Sequence, residues 1–497
     1  MNTFLNELTD EFNYKATENG GLAHATTKSA VLDMFATGAA YRNRPESDVI
    51  LLFKNAFEED ETLALKCLFW IRDCRGGAGE RRFFRLCINW LAENYPDRVR
   101  DLVQYIPDYG RYDDLYQLFD TPLEGEMLNL IKTQLTTDME TKENGISLIS
   151  KWMPSENASS PMTVEKAKRI RKALKLTAKQ YRQMLSKLRK KVNVLERLMS
   201  ANEWDKIEFE KIPSRAGIIY KNAFARRDII ARKYEAFAKD KNTKVNAKVL
   251  YPYEVVDKAL NVSWSSINLN EVDRAMVNKY WENLPNYFGD KECSMMCVVD
   301  TSGSMCGYGA AAPINVAISL GVYCAERLRG PFANHYISFS RNPQLIKVEG
   351  TDFVEKVARI YRTNLCENTN LEKVFDLLLQ TAKAPGVKAT DIPETIVIIS
   401  DMEIDEAQGR YDSYAKNDKT LTMMEDMRKK WERRGLKMPK LVYWNVDARH
   451  NTILDLGPDV SYVSGMSPTL FKQIITGKTG YQLMMETICA SRYDNIK

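Results

Sequence analysis

The sequence predicts a two-part chain of class α plus α/β: a helical-repeat module over residues 1–285, then a doubly wound, mostly parallel sheet over residues 291–497. Two observations predict it. Up to about residue 285, short apolar segments recur at helical spacing between Gly- and Pro-containing turns, and few runs alternate as strands do. From Lys291 onward, apolar runs of strand length alternate with amphipathic stretches, the pattern of a parallel sheet covered on both faces.

In the helical half, residues 48–57, 62–71 and 83–91 carry the periodic apolar positions, with Arg75-Gly76-Gly77-Ala78-Gly79 and Tyr95-Pro96-Asp97 as turns between and after them. No repeat of fixed period aligns, so the stacked-helix reading rests on this texture. The glycine loop has two readings. Glycines ahead of a helix can cradle a phosphate through backbone amides. This loop follows a helix-like run and lacks the Lys-Ser/Thr of a P-loop, which favours a tight helix–helix turn in which Asp73 and Glu80 pair with arginines. Further on, Ser159-Ser160-Pro161 opens a helix, and Thr177-Ala178-Lys179-Gln180 is a capping box that opens another. The apolar stripe Tyr181, Leu185, Leu188, Val192, Leu195 and Met199 faces inward, leaving Lys187, Arg189, Lys190 and Lys191 on other faces.

In the α/β half, strands are expected at 294–299, 335–339, 344–348, 394–400, 440–446 and 460–463, with helices near 313–328, from Leu371, and near 421–434. Ligands of such open sheets sit beyond the carboxyl ends of the strands, where Asp300 and Asp401 both stand.

Composition narrows the classes. A hydrophobic content of 44% with 28% charged residues is that of a soluble globular protein. No apolar run reaches the roughly 20 residues of a membrane span, and the acidic start MNTFLNELTDEF is no secretory signal. Nine cysteines without paired spacing argue against a disulfide framework and for a reducing, cytoplasmic setting. With no CxxC, and with His24, His335 and His450 far apart, neither a zinc site nor a His-dependent triad is expected.

The net charge of +5 hides an asymmetry. Residues 161–250 hold 25 Lys and Arg against 9 Asp and Glu, a net +16, while residues 1–160 hold 17 against 26, a net −9. Charge so concentrated speaks of partners rather than fold.

The chemistry is densest in MMCVVDTSGSM, residues 295–305. An apolar strand ends at Asp300, and the hydroxyls of Ser302 and Ser304 follow at spacings of two and four. Asp401 ends a second apolar run, and Thr369 lies just before the helix that starts at Leu371. Thr363-Asn364-Leu365 nearly copies Thr369-Asn370-Leu371; Thr369 is preferred because an amphipathic helix follows it. One or two carboxylates with neutral hydroxyls form an oxygen-only set that suits Mg²⁺ or Mn²⁺. Such a cation would keep residual positive charge for an outside acidic ligand. The bland alternative is a turn in which Asp300 and Ser302 only bond loop amides.

Asp300-x-Ser302-x-Ser304, Thr369 and Asp401 resemble the metal-ion-dependent adhesion site of von Willebrand factor A domains, and the strand and helix order from about residue 291 is similar too. The blocks TENGGLAHATTKSAVLDMF, FWIRDCRGGAGERRFF, YGRYDDL, SKWMPSENAS, LRKKVNVLERLMSANEWDKIEFEKIPSRA and LYPYEVV resemble a family of large phages, plants and fungi that fuses a helical module to a von Willebrand A domain. That architecture is similar to the Ro autoantigen group, in which a ring of helical, HEAT-like repeats (the TROVE module) is closed by a von Willebrand A domain. The resemblance implies binding of small noncoding or misfolded RNA.

The basic segment supports RNA independently, through counterion release on a polyphosphate. Its expected contacts are Lys187, Arg189, Lys190, Lys191, Arg215, Lys221, Arg226 and Arg227, with Tyr181, Tyr220 and Phe224 as stacking surfaces. The rival is internal: the +16 segment faces the −9 segment and is neutralised within the fold. The expected function is therefore a noncatalytic, RNA-binding protein, for single-stranded or small structured RNA, whose metal site takes an acidic protein partner. The alternative is a protein-interaction scaffold without RNA. Glu403 and Asp405 near Asp401 keep metal-assisted phosphodiester cleavage as a third, weaker option, since that chemistry usually needs more carboxylates or two metals.

Overall fold

Two strands that the helical texture does not announce open the chain: Tyr14–Ala16 (β1) and Leu22–His24 (β2) pair as an antiparallel hairpin. The computed structural model describes residues 13–18, 20–142, 145–192, 194–260, 269–290, 292–307, 311–339, 342–362, 370–404 and 423–497. After the hairpin the expected helices form as Glu46–Glu59, Glu61–Arg72 and Arg82–Asn94. Asp60 separates the first two by capping the second, its carboxylate accepting the Leu63 amide at 2.8 Å. The glycine loop is a tight turn: the Ala78 and Glu80 amides return to the Trp70 and Ile71 carbonyls at 3.2 and 2.8 Å. A Cβ on Gly77 would lie 2.1 Å from the Trp70 carbonyl oxygen, so only glycine fits there.

The capping box at Thr177 and Gln180 forms and opens the helix Ala178–Lys191. The inward stripe is broken where the sequence reads it as continuous. The helix stops at Lys191, the Val194 amide turns back to the Arg189 carbonyl at 3.2 Å, and Leu195–Ser200 is a separate helix. Tyr181, Leu185, Leu188 and Leu195 are buried all the same, Val192 and Met199 are half-buried, and Leu198, outside the expected stripe, is buried in place of Met199.

The carboxyl half forms one six-stranded sheet. Its strands are Met295–Asp300 (β3), His335–Phe339 (β4), Gln344–Lys347 (β5), Thr395–Ser400 (β6), Lys440–Asn445 (β7) and Val460–Ser464 (β8). The order is β5-β4-β3-β6-β7-β8, parallel throughout except for β5, which runs antiparallel to β4. Side chains alternate across it. Cys297, Val299, Val397, Ile399, Val442 and Trp444 enter one hydrophobic cluster. Met296, Val298, Ile396, Ile398, Leu441 and Tyr443 enter the other, under Leu371–Ala382 and Met423–Glu432.

The first cluster does not stop at the domain boundary that the sequence suggests. It runs without a break from Val31 in the helical half through the helix Pro313–Arg327 to Ile496. Polar contacts tie the same seam. The His24 and Ile453 backbones exchange hydrogen bonds at 2.8 and 3.0 Å, and the Ala448 amide donates to the Ala40 carbonyl at 3.2 Å. Arg274 holds Asp352 at 2.7 Å, and Trp281 stacks on Phe353 at 3.9 Å between centroids. Asp73, fully buried, pairs with Arg492 and accepts the Tyr493 hydroxyl at 3.0 Å. The glycine turn is thus pinned to the far end of the chain rather than to a neighbouring arginine. Among the described residues no helix is long and apolar enough to cross a membrane.

Candidate functional site

β3 and β6 are adjacent and parallel, with Val299 opposite Ile399, so the residues that leave their carboxyl ends emerge side by side. Four of the oxygen-bearing residues singled out in the sequence meet there. Asp300 and Ser302 are fully buried and Asp401 is 1% exposed. The Ser302 amide donates to Asp300 Oδ1 at 2.9 Å, the Asx turn that the sequence allows. The hydroxyls of Ser302 and Ser304 lie 3.0 Å apart, and Ser304 hydrogen-bonds Asp401 in turn. Ser400, not singled out from the sequence, donates its hydroxyl to Asp300 Oδ2 at 2.5 Å. Thr369, its near copy Thr363, and Asp405 lie outside the described residues. The helix expected after Thr369 begins at Leu371, capped by Asn370, which accepts the Lys373 amide at 2.9 Å.

Burial, and then the negative charge of Asp401, push the Asp300 carboxyl from 3.8 up to about 7. Burial raises Asp401 as well, against the pull of Arg449. Two facing, buried carboxylates lined by neutral hydroxyls are the donor set of a hard divalent cation, and their mutual repulsion is what such a cation would relieve. The residues fit the metal on that ground.

The site has neighbours that the sequence reading missed. Arg449 Nη2 reaches Asp401 Oδ2 at 2.7 Å, and its Nη1 reaches Glu18 Oε2 at 2.7 Å. Glu18 belongs to the β1–β2 loop. Its amide donates to Glu403 Oε2 at 2.7 Å, and Thr17 Oγ1 donates to the Ile404 carbonyl at 2.6 Å. Glu403 is buried and also meets His450 Nδ1 at 3.2 Å and the Thr452 hydroxyl at 3.3 Å. Arg449 was findable, because it follows the carboxyl end of β7, where residues of a parallel sheet gather around ligands. Glu18 gave no signal, since it stands 385 positions from Glu403 in the chain.

The basic residues divide. Arg189 donates to the Ser150 and Met153 carbonyls at 2.9 and 2.8 Å, and burial lowers its affinity for its proton. Lys191 donates to the carbonyls of Asp138, Met139 and Thr141 at 2.8–3.2 Å, closing the end of the helix Glu124–Glu140. Arg215 pairs with Glu254 at 2.8 Å and Lys221 with Asp273 at 3.0 Å. Lys187, Lys190, Arg226 and Arg227 are exposed, and Arg227 lies over the Trp204 ring at 4.5 Å. Asn202, Trp204, Arg226, Arg227 and Ile229 line an open cleft of about 670 Å³. Of the stacking candidates, Tyr181 and Phe224 are fully buried in the core, and the hydroxyl of Tyr220 meets Glu196 at 3.3 Å.

Comparison with known proteins gives three findings. Two family models match: "Domain of unknown function (DUF2828)" over residues 17–107 and 157–290, and "Domain of unknown function (DUF7788)" over residues 294–492. "Uncharacterized protein L728" of Acanthamoeba polyphaga mimivirus is 30% identical, over 94% of this chain and 85% of that protein. Among solved structures, the Ro (RSR) protein of Deinococcus radiodurans aligns over 92% of each chain at 12% identity, with a TM-score of 0.34.

Proposed function

The chain belongs to the family of the mimivirus protein L728, and from that premise we propose that it is a noncatalytic RNA-binding protein with a divalent-metal adhesion site for an acidic protein partner. The observation that carries the RNA reading is a row of cations that the fold leaves unneutralised. Lys168, Lys172, Lys179, Arg182, Lys187 and Lys190 are exposed on Pro161–Ala173 and Ala178–Lys191, and none makes an ion pair among the described residues. Lys179, Arg182 and Lys190 share one helical face. Internal neutralisation takes only part of the segment's charge: Arg169 pairs with Asp120 and Glu124, and Arg171 with Glu156.

Mg²⁺ or Mn²⁺ would be held by Asp300, Ser302, Ser304 and Asp401, with Thr369 as the further hydroxyl of the sequence pattern. Bound there, the cation supplies positive charge that its few anionic ligands do not cancel, to which a partner's carboxylate can coordinate.

Fluorescence anisotropy with a labelled single strand and a small hairpin, titrated across KCl concentrations, tests the RNA reading. Replacing Lys179, Arg182 and Lys190 by alanine should weaken binding and lower the slope of log K against log salt by roughly 2, about 0.7 per phosphate contact. Salt-insensitive or absent binding by the unaltered protein would remove RNA from the reading. A scaffold role without RNA is favoured by one observation, the engagement of Arg189, Lys191, Arg215 and Lys221 with carbonyls and carboxylates of the same chain. On that reading Asp300→Ala abolishes partner capture, and there is no RNA affinity to lose.

A further inference from the structure

Arg449 is the one described side chain that touches both the candidate metal site and the amino-terminal hairpin. One nitrogen rests on Asp401 and the other on Glu18, each at 2.7 Å. Resting on the metal reading, we propose that Arg449 is a built-in rival of the divalent cation for Asp401, and that its displacement on metal binding loosens the β1–β2 loop held by Glu18.

The charges argue for competition. Asp300 and Asp401 place two carboxylates in a buried site, and Arg449 is a cationic side chain that contacts Asp401. A divalent ion between the aspartates brings more positive charge than Arg449 supplies. It draws on the same carboxylate and repels the guanidinium at short range, where burial leaves little screening. Glu18 stays on the other nitrogen as Arg449 withdraws from Asp401, so the move pulls Glu18 away from its amide bond to Glu403. The hairpin is held at this point by three contacts: Glu18 to Arg449, the Glu18 amide to Glu403, and Thr17 to the Ile404 carbonyl. Two of these land two and three residues after Asp401, so a shift of Arg449 or of that loop is felt at Thr17 and Glu18. Linkage makes the effect reciprocal: the factor by which the Arg449–Asp401 contact weakens cation binding is the factor by which the bound cation weakens that contact.

The test uses the full chain and Mn²⁺ alone, with affinity read by electron paramagnetic resonance of the free ion. Arg449→Gln should bind Mn²⁺ about tenfold more tightly than the unaltered protein, the effect of losing one charge-assisted contact. In the unaltered protein, hydrogen exchange at residues 14–24 should rise several-fold on adding Mn²⁺, and in Arg449→Gln it should be high with or without the ion. Glu18→Gln keeps the hairpin measurement informative if Arg449→Gln does not fold, because it should show the same raised exchange in the absence of Mn²⁺. Unchanged or weaker Mn²⁺ affinity in Arg449→Gln, or exchange at 14–24 that Mn²⁺ leaves alone or slows, overturns the proposal while the metal reading stands. No Mn²⁺ bound by the unaltered protein overturns both.

Discussion

Replacing Asp300 by Asn should abolish the pH dependence that this one carboxyl gives to the metal-free protein. Asn keeps the shape: its oxygen can still accept the Ser302 amide, and its nitrogen can donate to the Ser400 hydroxyl that now donates to Asp300 Oδ2. It removes the charge. The Asp300 carboxyl stands at about 7 in the fold against an ordinary 3.8. A group raised in this way favours the folded state fully below its unfolded pKa, and loses that contribution as the pH climbs through the folded value. Between about pH 5 and pH 8 the metal-free protein should therefore lose roughly 3 kcal/mol relative to Asp300→Asn, about two pH units of titration at 1.36 kcal/mol each. The continuous core makes the chain melt as a unit. At roughly 2.1 cal/mol/K per residue that is about 1 kcal/mol per degree, so the gap in Tm should move by about 3 °C. Thermal melts in EDTA at about pH 5, 6, 7 and 8 measure it. Saturating Mg²⁺ should then raise the Tm of the unaltered protein and leave Asp300→Asn where it was. A Tm gap that stays flat with pH, or one that moves in favour of the unaltered protein as pH rises, would refute the account of two buried, mutually repelling carboxylates.

Lys191→Met removes the cation that closes the end of Glu124–Glu140 on three carbonyls. It should cost about 1–2 kcal/mol and leave RNA affinity unchanged, seen as a lower Tm with an unaltered anisotropy curve. Asp73→Asn should cost about 2 kcal/mol by weakening the hold on Arg492 and Tyr493. Its mark is faster protease cleavage near the carboxyl terminus together with the lower Tm. If the Asp73 variant melts normally with the terminus still protected, the seam depends on apolar packing alone.

Much of the carboxyl half was legible because its information is local. At β3 and β6 an apolar run ending in Asp or Ser gives the strand and its carboxyl end together, and all six strands lie within a residue or so of their expected places. The candidate metal centre was legible for the same reason. Asp300, Ser302 and Ser304 are fixed by one turn, and parallel pairing brings Asp401 beside them. The basic surface was legible only as a total. Arg189 and Lys190 are neighbours in sequence, yet one donates to carbonyls of residues 150 and 153 while the other is exposed. Charge counts cannot distinguish them, because the distinction depends on which backbone ends pack alongside.

By itself, then, the sequence determined the class of each half, the strand ends and the four oxygen-bearing residues of the candidate cation site, since periodicity, turn chemistry and short spacings act within a few residues of each other. Only the tertiary structure decided that one core joins the halves, that four of the eight suspected RNA contacts are bonded to groups of the same chain, and that Arg449 links Asp401 to Glu18. Those facts depend on groups tens to hundreds of residues apart meeting once the chain has packed. A charge acquires its partner, and its free energy, only once burial has chosen its neighbours.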